Sequence, residues 1–105
     1  MSKIKVIIKR PDEEYGHMCY VSNSISNLQR TVGGYVECLT LPAKTGTINI
    51  LCNEDGKRLN LERNLKTPAG FLVGDIVVCK VGEEDFEAIP IDFAEWKDLV
   101  KKWQQ

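Results

Sequence analysis

Lysines alternate with branched aliphatic residues through residues 3–9. A period of two is typical of a β-strand with one buried face. An acidic turn follows at residues 12–16, and residues 17–22 are again rich in β-formers. The pattern therefore predicts two strands that pair as a hairpin across the acidic turn.

The period then changes to that of a helix. Apolar residues lie on one helical face, at Ile25, Leu28 and Val32. Asn23 or Ser24 can cap the first turn by accepting a hydrogen bond from a free backbone N–H. Gly33 can adopt the left-handed conformation that ends a helix. The sequence predicts a helix that ends at Gly33.

A second helix is predicted at the C-terminus. Its apolar residues form one stripe, at Phe93, Trp96, Val100 and Trp103. Asp92 and Glu95 have the spacing of a capping box, and Ile91 has the spacing of a hydrophobic staple with the first tryptophan. We expect the stripe to pack on the core and Trp103, near the end, to be its most exposed member.

The segments between the helices predict further strands. Residues 35–41 form a strand that stops at Pro42, and residues 47–52 return after a turn at residues 43–46. Residues 71–81 are the most hydrophobic stretch and predict a central strand, with a bulge or turn at residues 74–75. Runs of strands with few helices indicate an α+β fold. We expect a mainly antiparallel sheet of about five strands, with the middle helix and the C-terminal amphipathic helix on one face, in a single domain over residues 1–105.

Composition narrows the functional classes. The chain has 105 residues, an apolar fraction of 43%, a charged fraction of 28% and a net charge of −1. This charge gives no long-range attraction for nucleic acid or an anionic membrane. The sequence has no apolar leader and no continuous apolar stretch of membrane-spanning length, so we expect a cytoplasmic protein.

The four cysteines do not form a metal-binding motif. They are widely spaced and flanked by apolar or aromatic neighbours, at Cys19, Cys38, Cys52 and Cys79. Such cysteines are typically reduced and behave as small hydrophobic residues. We therefore predict no metal and no cofactor, and no catalytic residue is assigned. His17 is the single histidine and lies two positions from Cys19, which leaves a small Cys/His-dependent enzyme as an alternative.

Residues 53–64 form the densest polar stretch of the chain. Asn53 and Asp55 favour a turn through side chain to backbone hydrogen bonds, and Gly56 can supply a positive φ. The same stretch offers charge-assisted hydrogen bonds to a phosphate or carboxylate. A structural turn and a ligand site both remain open. The candidate contacts are Asn53, Asp55, Lys57, Arg58 and Asn64, with Tyr35 as a possible stacking surface.

Three stretches carry a resemblance to a known family. They are the helix that leads into residues 32–37, the turn at residues 53–57 with Leu61 and Asn64, and Gly70 with residues 74–78. In these residues the chain resembles the family catalogued as domain of unknown function 3846. The distinctive part of the likeness covers roughly residues 20–82. The resemblance implies an origin in a phage, plasmid or conjugative element, and it supplies no activity or catalytic residue.

Together these features lead us to expect a non-enzymatic binding protein. It would bind a host protein or a small anionic, nucleotide-like ligand, and counter-defence is one form that such binding takes in mobile elements. A weak nucleic-acid-binding accessory protein is a further alternative. An exposed strand edge could also support a homodimer.

Overall fold

The strands of the sheet follow the predicted hairpins in most places. The computed structural model describes residues 2–44 and 46–105, and Thr45 of the predicted turn at residues 43–46 lies outside the described residues. The elements in chain order are β1 (Lys3–Lys9), β2 (His17–Ser22), α1 (Ile25–Val32), β3 (Val36–Ala43), β4 (Gly46–Asn53), β5 (Arg63–Thr67), β6 (Gly70–Val73), β7 (Ile76–Val81), β8 (Phe86–Glu87) and α2 (Phe93–Trp103).

All strand pairs in the main sheet are antiparallel. The strand order is β2-β1-β7-β4-β3, and the short β8 pairs with the end of β7. Strands β5 and β6 form a separate two-stranded sheet. The predicted α+β class and its mainly antiparallel sheet are confirmed.

The two helices cover opposite faces of the sheet, which corrects the expectation that they share one face. Successive side chains of a strand point to opposite faces. In β7, Val77 packs in the cluster that contains Leu28 of α1, whereas Val78 packs in the cluster that contains Trp96 of α2. Both faces are therefore buried, and the β5–β6 hairpin helps α2 to cover its face through Leu65.

Helix α1 has the predicted caps. The Ser24 side chain accepts a hydrogen bond from Asn27 N at 3.2 Å. Gly33 is left-handed with φ 82°, and its N–H donates to Gln29 O at 2.8 Å. The helix thus begins and ends where side-chain and backbone chemistry favour it.

Helix α2 has only half of the predicted capping box. Asp92 Oδ1 accepts from Glu95 N at 2.8 Å, but the Glu95 carboxylate instead accepts from Lys44 N at 3.0 Å. The expectation that Trp103 is exposed is wrong. It is only 8% exposed, and its ring lies edge-on to that of Trp96, with the centroids 5.8 Å apart.

Three segments depart from the predicted strands. Residues 71–81 do not form one strand, because the chain turns at Gly74 (φ 74°) and leaves β6 and β7 in different sheets. Strand β3 continues through Pro42, which an edge strand tolerates because the missing N–H is not needed there. Strand β5 lies in a stretch that is too polar to predict a strand, and Leu65 is its one buried apolar residue.

We predict that Trp103→Ala destabilises the protein by about 3 kcal/mol, because truncating a buried aromatic side chain leaves a cavity. Urea unfolding followed by far-UV circular dichroism measures this. The exposed neighbour change Lys102→Ala is the control, for which the loss should stay within about 0.5 kcal/mol. Equal, small effects for both variants would mean that the end of α2 does not support the core.

Candidate functional site

The polar connection between β4 and β5 is an ordered loop. Its backbone folds back through bonds from Gly56 N to Asn53 O (3.1 Å), from Leu59 N to Asp55 O (2.9 Å) and from Leu61 N to Gly56 O (3.0 Å). These bonds fix the conformation of residues 54–60, and residues 57–60 at the tip are exposed.

The positive φ expected at Gly56 is found instead at Asn60, with φ 55°. Gly56 is needed for a different reason. A Cβ there would lie 2.7 Å from Val73 Cγ2, too close for a real side chain. Because Gly56 has no side chain, the loop can pack closely on the β5–β6 hairpin at Val73.

Asn53 is a structural residue of the loop. Its side chain is 7% exposed, and its Nδ2 donates to Val32 O, the last residue of α1, at 3.2 Å. Its Oδ1 accepts from Asp55 N at 2.8 Å. A Cβ on Gly34 would approach Nδ2 to 3.0 Å, so the glycine makes room for the amide. The Asn53 amide therefore joins the end of α1 to the start of the loop.

Asn64 holds the other end of the loop to β1. Its Nδ2 donates to Lys9 O and Gly74 O, both at 2.7 Å, and its Oδ1 accepts from Lys9 Nζ at 2.8 Å. Lys9 is only 2% exposed, and its ammonium also donates to Asn64 O at 3.1 Å. Burial lowers the pKa of Lys9, although Glu13 and Asp12 oppose the shift. Asn64 is thus the main partner of a buried ammonium group.

The predicted contact residues do not converge on one pocket. Asn53 and Lys57 line a cavity of about 160 Å³. Asn64 lines a separate cleft of about 390 Å³ with Lys9. The carboxylate of Asp55 pairs with Arg58 Nη2 at 3.3 Å, and both side chains are largely exposed.

Tyr35 lies beside the start of the loop. Its carbonyl accepts from Glu54 N at 2.8 Å, and its side chain is 71% exposed. The ring borders a shallow depression at the end of α1 that Arg30 also lines. Whether any of these residues contacts a ligand or a partner stays a prediction.

One exposed feature next to the loop was missed from the sequence. Phe71 is 41% exposed, and Arg63 Cζ lies 4.0 Å from the centroid of its ring. Phe71 also lines the 160 Å³ cavity together with Lys57. Its position at the start of an apolar stretch suggested burial. Leu65 and Leu72 pair across β5 and β6 and are both buried, so the next pair, Lys66 and Phe71, lies on the opposite face of the hairpin. The polar Lys66 opposite Phe71 is the one signal that could have placed Phe71 outside.

The lone histidine has an orienting partner. His17 Nδ1 lies 3.0 Å from Glu13 Oε2, and Glu13 Oε1 accepts from Arg10 N at 2.8 Å. The bond from Arg10 N and the contact with His17 lower the pKa of Glu13. Burial, however, raises the pKa of Cys19, which disfavours the thiolate that nucleophilic catalysis needs.

The pKa values of the other three thiols are also raised. Burial raises the pKa of Cys38, and it raises the pKa of Cys52 to about 11 and that of Cys79 to about 12. Within residues 2–44 and 46–105, no three His, Cys, Asp or Glu side chains are grouped so that they could hold a metal ion. In the same part of the chain, neither helix combines the length and apolar character that crossing a membrane requires.

The fold and the loop define a small α+β domain whose polar connection is internally hydrogen-bonded. Comparison with known families matches residues 4–104 to the domain of unknown function DUF3846, and the chain belongs to this family. The likeness thus extends well beyond residues 20–82 and includes α2. No match was found among curated proteins or among solved structures.

We predict that Asn64→Ala destabilises the protein by about 2–4 kcal/mol, because it removes the side-chain acceptor of a buried ammonium and the side-chain donor of two carbonyls. Lys9→Met removes the charge together with its burial penalty and should cost less. In the double variant the two losses should be coupled by more than about 0.5 kcal/mol. Urea unfolding of the four proteins measures the cycle, and exposed Lys5→Met is the control. Simple additivity would show that the two side chains do not interact.

The pH dependence tests the same pair. The unfolded chain keeps the Lys9 proton up to its ordinary pKa of 10.5, whereas the folded chain releases it at lower pH. The unfolded state therefore binds more protons in this window, and stability contributed by this group rises with pH. The free energy of unfolding of the wild type, relative to Lys9→Met, should increase from neutral pH towards 10.5. A flat difference would contradict a buried, charged Lys9.

We predict slow thiol alkylation at pH 7.5 for all four cysteines, because each raised pKa leaves little thiolate. Exposed Cys38 should react first, and Cys52 and Cys79 should react only after unfolding. Iodoacetamide labelling followed by peptide mass spectrometry measures the order, with urea-unfolded protein as the control. Labelling of Cys19 faster than in the unfolded chain would instead support a Cys/His-dependent enzyme.

Proposed function

We propose that this protein is a non-enzymatic binding protein that captures another protein. The contact surface, called the loop surface below, consists of the exposed loop tip and the exposed side chains beside it. Its members are Tyr35, Lys57, Arg58, Leu59, Arg63 and Phe71. Capture of a host protein for counter-defence is the specific form that an origin in a mobile element would favour.

The observation that carries the proposal is a group of exposed large side chains on a rigid framework. Tyr35 is 71% exposed, Leu59 is 51% exposed and Phe71 is 41% exposed. Arg63 stacks over the Phe71 ring at 4.0 Å. Tyrosine and arginine are enriched among the residues that dominate binding energy at protein interfaces. Because the loop backbone is hydrogen-bonded, little conformational entropy remains to be lost on binding.

The size and charge of the neighbouring cavity favour a protein over a small anion. Its volume of about 160 Å³ is below the roughly 300–1,000 Å³ of typical small-molecule sites. Glu37 and Glu54 line it beside Lys57, and they would repel an anionic ligand. The Arg58 guanidinium is already paired with Asp55. A nucleotide-like ligand therefore has weak support in this cavity.

The structural hydrogen bonds of Asn53 and Asn64 exclude these two residues from the proposed contacts. Asn53 and Asn64 use their amides to hold α1, β1 and the loop together. A partner could reach these groups only by breaking bonds that stabilise the fold. The Asp55 carboxylate pairs with Arg58. Among the residues first selected, we therefore assign the contacts to Tyr35, Lys57 and Arg58. Leu59, Arg63 and Phe71 are added to them.

We predict that Tyr35→Ala combined with Phe71→Ala weakens capture of the partner by more than about tenfold, because truncating central aromatic anchors typically costs over 1 kcal/mol each. Lys57→Ala with Arg58→Ala should weaken it less, mainly through the association rate. Immobilised protein incubated with host extract, followed by quantitative mass spectrometry, identifies the partner. Biolayer interferometry with that partner then gives the dissociation constants.

The matched control is Ile25→Ala with Val81→Ala, which removes similarly exposed apolar side chains elsewhere (48% and 39% exposed). These controls should bind like the wild type. Unchanged partner binding in the Tyr35/Phe71 variant would place the interface elsewhere. Retention of a small anion that is lost only in the Lys57/Arg58 variant would favour the nucleotide-like alternative.

A further inference from the structure

Strand β2 is an edge of the main sheet that carries none of the usual protection. In the described part of the chain its one sheet neighbour is β1. Natural proteins protect edge strands with proline or charged residues, since an open edge can pair with another chain. The other edge, β3, contains Pro42 and Glu37. The β2 sequence His-Met-Cys-Tyr-Val-Ser contains no proline, lysine, arginine or carboxylate.

The pairing with β1 determines which backbone groups of β2 point outward. The ladder continues past β2 with a bond from Asn23 N to Ser2 O at 3.0 Å. Backbone groups along an antiparallel strand point alternately to its two sides. Residues 17, 19 and 21 therefore bond to β1, and the N–H groups of Met18, Tyr20 and Ser22 point away from the sheet.

We propose that a second copy of this chain pairs with β2 in antiparallel orientation, with Tyr20 opposite Tyr20 of the second copy. A two-fold axis then passes between the two tyrosines, and the interface uses the same patch on both copies. In this register Met18 faces Ser22 of the second copy. The Tyr20 N–H groups then donate to Tyr20 O across the axis, and each Ser22 N–H donates to Met18 O of the other copy. Ser22 O already accepts from Ser24 N at 2.9 Å and from Asn27 Nδ2 at 3.3 Å, so the Met18 N–H adds no bond to the new ladder.

The side chains suit this register. The Tyr20 side chain is 67% exposed, and no helix or strand of the described residues packs over it. Opposite residues on one face of an antiparallel pair bring their side chains into contact, and aromatic pairs are favourable there. The two Tyr20 rings would therefore cover each other beside Lys5, the β1 residue that pairs with Tyr20.

The charge distribution favours a second copy over an unrelated strand. The acidic turn at residues 12–14 adjoins the start of β2, and Lys3 of β1 pairs with Ser22 at the end of β2. An antiparallel two-fold arrangement places the acidic end of one copy towards the basic end of the other. Like charges do not face each other, so pairing carries no repulsive penalty.

The experiment measures the mass of the protein by sedimentation velocity over a concentration series, using wild type, Tyr20→Pro and Tyr20→Phe. Proline at this position removes an outward N–H and no bond to β1, so Tyr20→Pro should stay folded by circular dichroism and remain monomeric. The wild type and Tyr20→Phe should become dimeric as concentration rises. A short strand interface buries little area, so the series extends to about 1 mM.

Hydrogen exchange of the wild type provides the second measurement. The amides of Tyr20 and Ser22 should exchange at least tenfold more slowly at the concentration where the dimer forms, whereas those of Cys19 and Val21 should be protected at every concentration. This measurement tests the proposal even if Tyr20→Pro fails to fold. A wild type that is monomeric throughout, a folded Tyr20→Pro that still dimerises, or unchanged exchange at Tyr20 and Ser22 would each overturn the proposal.

Discussion

Two asparagine amides, that of the buried Asn53 and that of the half-buried Asn64, hold the domain's polar connection in place. An amide donates and accepts at the same time, so one side chain can join two backbone segments that have no ladder between them. Asn53 joins α1 to the loop, and Asn64 joins β1 to the turn at Gly74. Without them, the carbonyls of Val32, Lys9 and Gly74 would lose their side-chain donors in the interior, which costs more than the same bonds contribute when made. These two anchors hold the ends of the loop, and the loop's own backbone hydrogen bonds fix residues 54–60 between them.

The residues that carry the family likeness are explained by the same constraint. Gly34 makes room for the Asn53 amide, and Gly56 makes room for Val73. A Cβ on Gly74 would lie 2.8 Å from Leu61 Cδ1, and Gly74 also has a positive φ of 74°. Gly34, Gly56 and Gly74 thus each mark a close approach between two segments, which only a residue without a side chain permits. Gly33 and Gly70 have no such close neighbour, and they instead adopt positive φ angles of 82° and 114°. Packing and backbone conformation therefore account for these glycines without any role in binding.

The sequence predicted the elements whose signals are local. The period of β1, the caps Ser24 and Asp92 and the apolar stripe of α2 each depend on neighbouring residues, and all were confirmed. The errors concern tertiary packing. Strand β5 forms because it pairs with β6, despite its polar sequence, and Trp103 is buried because the β5–β6 hairpin closes over that face. The contact of Lys9 with Asn64 spans 55 positions, and no local pattern reveals it.

The candidate contacts divide into residues whose side chains are bonded within the fold and residues whose side chains are exposed. The same amide group lets an asparagine form a turn, join two backbone segments or bind a ligand. The sequence alone therefore could not distinguish Asn53 and Asn64, which are structural, from Lys57, which remains a candidate contact. Hydrogen bonding separates them, because the fold uses both amides and leaves the Lys57 ammonium at an exposed position. Tyr35, Leu59 and Phe71 likewise contribute little to the core while exposing large apolar surfaces, which water disfavours. Since the anchoring residues and the exposed residues are different sets, we expect substitutions in the second set to leave the fold undisturbed. An internally hydrogen-bonded loop that presents such side chains suits the proposed capture of a protein partner.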